Sequence, residues 1–241
     1  MGGRRIEKLA SEETTSSTKV LLAMMGARRF RAMGFDCAWI AGQCSATELK
    51  EAFAEAFPDL EAVERVEAPS RDDFVRMDER VRDTRDQALI ALTFYNDGSW
   101  GVCVDSSMTM TAETDGLARL SELVGTTLVL YLATHSGCAG FELFKEGRSL
   151  RKIDSTDGDL VRVGEPQKQE QGLREDRFYW DEVDAIWAAF GMERRPGDWE
   201  QDVSLILYRD HACERALDER MPGWRTAGQQ AKAPRPWWKF W

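Results

Sequence analysis

The stretch from Ala88 to Ile153 constrains the fold more than any other part of the chain. ALIALTFY, an Asn96-Asp97-Gly98 turn signal and SWGVCVD read as a β-hairpin, because Asn and Gly tolerate positive φ between two runs of alternating apolar residues. Leu117, Leu120, Leu123 and Val124 then recur at helical spacing, and Gly125 fits the C-terminal cap. TLVLYLAT and GFELFKEGRSLRKI follow as a further strand and a second hairpin turning at Glu146-Gly147. So many strands with so little chain between them require an antiparallel sheet. The expectation is an α+β fold, mainly antiparallel, with helices packed on one side.

Upstream, Phe35 to Ala41 is apolar and suits a strand. Ser45-Ala46-Thr47-Glu48 has the form of a capping box, in which each side chain satisfies an orphan amide of the other. Leu49, Phe53 and Phe57 place one apolar face on the helix that follows, and Pro58 stops it. Leu60 to Gln87 is highly charged; Phe74, Met77 and Val81 give a weak helical stripe, so it reads as a solvated helix or a long ordered loop. Downstream, Ser155 to Arg174 is polar and Gly-containing and reads as a mobile surface connection. Asp181 to Phe190 reads as an amphipathic helix N-capped by Asp181 and ended by Gly191, and Val203 to Tyr208 as one more strand. Trp39, Trp100 and Trp187 fall in these elements and are expected to anchor the core.

Three segments follow. Residues 1–32 are polar, rich in Ser and Thr and then basic, and read as a flexible basic arm; the alternative is an upstream start codon, since Met33-Gly34-Phe35 opens the first strand cleanly. Residues 33–222 form the α+β domain. Residues 223–241 form a flexible stem with an aromatic tail.

Charge narrows the function classes. The chain has 32 Lys and Arg against 42 Asp and Glu, a formal net charge of −10. An acidic body repels phosphate backbones, which argues against nucleic acid as a partner, and attracts a cationic protein. Five widely spaced cysteines, three of them in or beside expected strands, fit reduced thiols in a cytoplasm better than a disulfide framework. No window approaches the ~18 apolar residues that suggest a membrane span. Neither a dinucleotide-binding nor a P-loop glycine pattern occurs.

Met33, Gly34, Phe35, Trp39, Ile40, Ser45 and Glu48, with the later strand of Phe141, Glu142 and Phe144 and the Gly147 turn, resemble an uncharacterised bacterial protein family that opens Met-Gly-Phe with a Trp-containing first strand. The resemblance implies an intracellular bacterial α+β protein and supplies no activity. In general layout the chain also resembles the small acidic immunity proteins that bacteria keep beside secreted toxins.

Three sets of residues carry chemical possibilities. His135, Cys138, His211 and Cys213 include both histidines and could ligate Zn²⁺ if the two pairs converge. His135 and Cys138 alone could act as base and thiol nucleophile, although no orienting acid lies near in sequence. The tail Pro234 to Trp241 places Trp237, Trp238, Phe240 and Trp241 at a terminus, where aromatics suit a strap folded back into a groove of their own domain, a partner-docking anchor or a lipid headgroup layer. The reading that follows is a non-enzymatic cytoplasmic binding protein, immunity-like or regulatory, with an acidic body for a cationic protein partner. The alternatives are a metal- or thiol-dependent enzyme centred on His135 and Cys138, and a peripheral-membrane adaptor tethered by the tail.

Overall fold

The computed structural model describes residues 36–81, 88–193 and 203–220. The expected arm and the aromatic tail lie outside the described residues. Nine strands form one sheet in the order β2-β9-β3-β4-β1-β5-β6-β7-β8, and each neighbouring pair is antiparallel. The strands are β1 (Asp36–Gly42), β2 (Leu60–Glu67), β3 (Leu89–Asp97), β4 (Trp100–Asp105), β5 (Thr126–Ala133), β6 (Cys138–Lys145), β7 (Arg148–Thr156), β8 (Asp159–Gly164) and β9 (Ser204–Asp210). The helices among the described residues are α1 (Ala46–Ala56), α2 (Arg71–Val81), α3 (Thr114–Val124), α4 (Trp180–Ala189) and α5 (His211–Arg220).

The antiparallel α+β expectation holds, while the helices are distributed over both faces of the sheet. Strand alternation makes this unavoidable, because the central strands are apolar at nearly every position and so present an apolar surface on both sides. Ile40, Phe94, Cys103 and Val129 point to one face, where Leu49 and Phe53 of α1 and Leu117 and Leu120 of α3 cover them. Trp39, Val102, Leu130 and Phe141 point to the other, beneath Val183, Ile186 and Trp187 of α4. Leu89, Leu205 and Leu207 continue that second face, under Met77 of α2. Trp39, Trp100 and Trp187 are buried as expected, and Trp39 meets Trp187 edge-on at 6.1 Å.

Local signals explain how the first face is assembled. The Ser45 capping box forms: Ser45 N donates to Glu48 Oε2 at 2.8 Å, and Glu48 N to Ser45 Oγ at 3.2 Å. The next amide of α1, Ala46 N, donates to Asn96 Oδ1 at 2.7 Å, so the end of the β3 strand also caps the helix. Gly101 permits the approach; a Cβ there would lie 2.7 Å from the Ser45 carbonyl oxygen. Of the expected Asn96-Asp97-Gly98 turn only Gly98 lies in the β3–β4 turn, which is Gly98-Ser99, since Asp97 pairs with Trp100. Asp97 is buried and accepts from Glu193 N at 2.9 Å.

Three elements were not legible as such. The charged run after Pro58 contains β2 ahead of α2, the segment expected to be a mobile connection contains β8, and α5 follows β9 directly. The connection beyond β8 is also tied down. Arg151, on β7, and Glu170 form a buried pair, with Nε to Oε1 at 2.9 Å and Nη2 to Oε2 at 2.7 Å. Arg151 Nη1 also donates to Gly164 O at 2.7 Å, and Glu170 Oε1 accepts from Gln167 N at 2.7 Å. The start of α4 is capped from within by Glu182 rather than by the expected Asp181: Glu182 accepts from Tyr179 N at 3.0 Å and from Arg177 Nε at 3.0 Å.

Candidate functional site

The His135 turn joins β5 to β6 at one end of the sheet. His135 is largely exposed, and its Nδ1 lies 3.4 Å from Asp36 Oδ2. Cys138 Sγ contacts Ser136 O at 3.6 Å, and among the described residues no hydrogen bond joins it to His135. The pair therefore has the two residues of a thiol mechanism without their coupling. The acid beside His135 comes from β1, a neighbour that chain order could not reveal.

The second histidine begins α5, immediately after β9. Its Nδ1 lies 3.0 Å from Glu214 Oε2 and its Nε2 3.0 Å from Glu61 Oε2 on β2. Both ring nitrogens thus face carboxylates, an arrangement that suits the doubly protonated ring. Hydrogen bonding to Glu214 and then Glu61 raises the His211 pKa. Cys213 lies on the same helix, where its backbone N–H donates to Asp210 Oδ1 at 2.9 Å.

The two pairs emerge at the same end of the sheet but are not brought together. From β5 to β9 the order crosses β1, β4 and β3, four strand spacings or about 19 Å. Four ligands of one Zn²⁺ must approach a common point to ~2.0–2.3 Å. Among the described residues no group of three or more His, Cys, Asp or Glu is placed to hold a metal ion.

Four of the thiols, those of Cys37, Cys44, Cys103 and Cys213, are poorly set for nucleophilic chemistry. All five are free. Burial, followed by the Asp105 charge, pushes the Cys37 and Cys103 thiols well up. Burial and then Glu48 push Cys44 up to about 11, and burial raises Cys213. A reactive thiol needs the opposite environment.

Asp105, at the end of β4, is the most deeply buried carboxylate in the sheet. Burial raises its pKa, offset by bonds from Ser107 and from backbone amides. Ser107 N reaches Oδ1 at 2.8 Å and Met110 N reaches Oδ2 at 2.9 Å, so the group holds the loop after β4. A groove of about 380 Å³ lies between the β3–β4 turn and the C-terminal end of α4, lined by Gln43, Ser99, Thr126, Gln167, Lys168 and Phe190 among others. Its described lining includes no carboxylate, histidine or cysteine, and Lys168 is the charged side chain it holds.

Charge is the feature that does separate cleanly. The described residues hold 34 of the 42 carboxylates and 17 of the 32 Lys and Arg. The body is thus more acidic than the whole chain. Trp237, Trp238, Phe240 and Trp241 lie outside the described residues, and the structure places no contact for them. No described helix is long and apolar enough to cross a membrane.

Comparison with protein-family models, with curated proteins and with solved structures finds no match for this chain.

Proposed function

We propose that this chain is a non-enzymatic binding protein, immunity-like or regulatory, whose acidic body recruits a cationic protein partner. The observation that carries the reading is the charge separation: a body with twice as many carboxylates as cations. Such a field raises the encounter rate with a basic partner and repels nucleic acid and anionic lipid. Five free thiols support placement in a reducing, cytoplasmic compartment. The tail residues Trp237, Trp238, Phe240 and Trp241 supply an anchor of the kind enriched at interface hot spots.

The metal form of the competing enzyme reading needs His135, Cys138, His211 and Cys213 to act together, and their separation gives it no support; the thiol form needs His135 and Cys138 alone, which share one turn without a hydrogen bond between them among the described residues. The test is affinity capture with the purified full chain from native lysate, in low and in physiological salt. The reading predicts a strongly basic protein that is released as salt rises. A neutral or acidic partner whose retention ignores salt contradicts it.

A further inference from the structure

The two edges of the sheet are finished differently. On β2 the register shifts between Ala62 and Glu64, which bends the edge. Its carboxylates are occupied: Glu64 by Arg76 and Arg80, Glu61 by His211, and Glu67 by Ser204. Such an edge resists a further strand.

β8 lacks these defences. It pairs with β7 in unbroken register from Asp159 to Gly164. The connecting turn, Asp157-Gly158, has φ of 52° and 89°, the positive pair of a type I′ hairpin. In that hairpin the closing residues, Thr156 and Asp159, form a hydrogen-bonded pair, and such pairs then alternate. The amides and carbonyls of Val161 and Val163 therefore face β7, and those of Leu160 and Arg162 face outward. Among the described residues no other backbone segment bonds to them.

The side chains around this edge are as distinctive. Val161 and Val163 are 53% and 57% exposed, the two most exposed large apolar residues described. They lie on the sheet face opposite Ile153 and Leu160, beyond the helices that cover that face. Exposed carboxylates flank them at Asp157, Asp159 and Glu165, and none is in an ion pair among the described residues. The strand's own cation is turned away, with Arg162 Nη2 donating to Arg174 O at 2.8 Å.

We infer that β8 is the docking edge for an extended segment of the cationic partner, which joins the sheet as a tenth strand with apolar side chains at its centre and basic side chains flanking them on the same face, since Asp159, Val161, Val163 and Glu165 share that face at two-residue spacing. The inference rests on the acidic-body reading above and locates it. Main-chain bonds to Leu160 and Arg162 supply register, Val161 and Val163 receive the apolar positions, and the flanking carboxylates receive the basic ones. A second copy fits less well. Antiparallel self-pairing about Val161 sets Asp157 opposite the other copy's Glu165 twice, and like charges directly opposite oppose pairing. The chain's own last residues are basic but carry Pro234 and Pro236, which cannot donate to a ladder.

The experiment measures binding of two labelled eight-residue peptides to the full chain by fluorescence anisotropy, a valine–lysine peptide with Lys, Val, Val and Lys at alternate positions and Thr between them, and a valine–glutamate peptide with Glu in the two Lys positions. The proposal predicts that only the valine–lysine peptide binds, and that it slows hydrogen exchange at the Leu160 and Arg162 amides. Asp157→Asn with Asp159→Asn should weaken binding at least fivefold, and Val161→Lys with Val163→Lys at least tenfold. The melting temperature of each variant checks that it is folded. Unchanged affinity in these folded variants, without amide protection, removes the β8 assignment and leaves the acidic-body reading intact. Failure of the valine–lysine peptide to bind at low salt counts against both. Binding only after residues 221–241 are deleted shows that the edge belongs to the chain's own tail. Sedimentation showing a wild-type dimer that the lysine variant converts to monomer assigns the edge to a second copy. Either result overturns the proposed occupant.

Discussion

Arg151 and Glu170 face each other across the end of the sheet in a two-point pair, with side chains only 4% and 7% exposed. The guanidinium also binds the Gly164 carbonyl, and the carboxylate also binds the Gln167 amide. One ion pair therefore joins β7, the end of β8 and the segment leading toward α4.

Removing Arg151 leaves the buried Glu170 with only the longer approach of Arg162 Nη1, at 3.9 Å, as a cationic partner. Arg151→Ala should lower stability by about 3–5 kcal/mol, the usual cost of leaving a buried charge unpaired. Urea unfolding checks this. A joint replacement of Arg151 and Glu170 by Met should recover much of the loss, because an apolar pair leaves no orphan charge.

Gly101 is required by proximity. Its Cβ would meet the backbone of Ser45 and Ala46 at 2.7–2.9 Å, and backbone at a capped helix start cannot step aside as a long side chain can. Gly101→Ala should cost about 1–3 kcal/mol, as overpacking does elsewhere. Thermal unfolding gives the value, and far-ultraviolet circular dichroism should show an intact sheet.

His211 sets a pH dependence whose sign follows from its neighbours. Its folded pKa is raised by Glu214 and Glu61, so the folded state holds the proton more tightly than the unfolded chain. The contribution is fully present below the unfolded value of about 6.5 and is lost as pH rises through the raised folded value. Unfolding curves from pH 5.5 to 8.5, with His211→Asn as reference, should show wild type losing its advantage across that window. Glu61→Gln should shrink the effect without reversing it.

The separation of the two His–Cys pairs yields a metal prediction. One equivalent of Zn²⁺ should leave the melting temperature of the full chain unchanged, since a ligand binding only the native state would raise it. A rise that disappears in His135→Ala and again in His211→Ala would mean that the pairs converge after all.

The central part of the fold was legible because its signals are local. Ser45 and Glu48 cap α1, Gly125 ends α3 with φ of 82°, and Glu146-Gly147 turns the second hairpin with φ of 50° and 78°. What escaped is held by distant partners. β2 is mostly exposed along an edge and thus carries glutamates where a central strand carries valines. β8 has a single polar turn behind it and little apolar weight, and it is completed by Arg151, which no local pattern connects to Gly164 or Glu170. α5 has no apolar stripe; His211 and Arg215 tie it to Glu61 and Asp59, about 150 residues earlier in the chain. The metal hypothesis failed to gather support for the same reason. Spacing along the chain showed two pairs, and only strand order shows the three strands between them.

Recruitment of a cationic partner by the acidic body is tested most directly by association kinetics. The association rate of the full chain with the basic partner recovered by capture should be followed by stopped flow from 0.02 to 0.15 M salt. The predicted result is an association rate that falls about tenfold or more while dissociation changes little, as expected when a field guides encounter. An association rate indifferent to salt would contradict the account and leave the acidity of the body serving solubility alone.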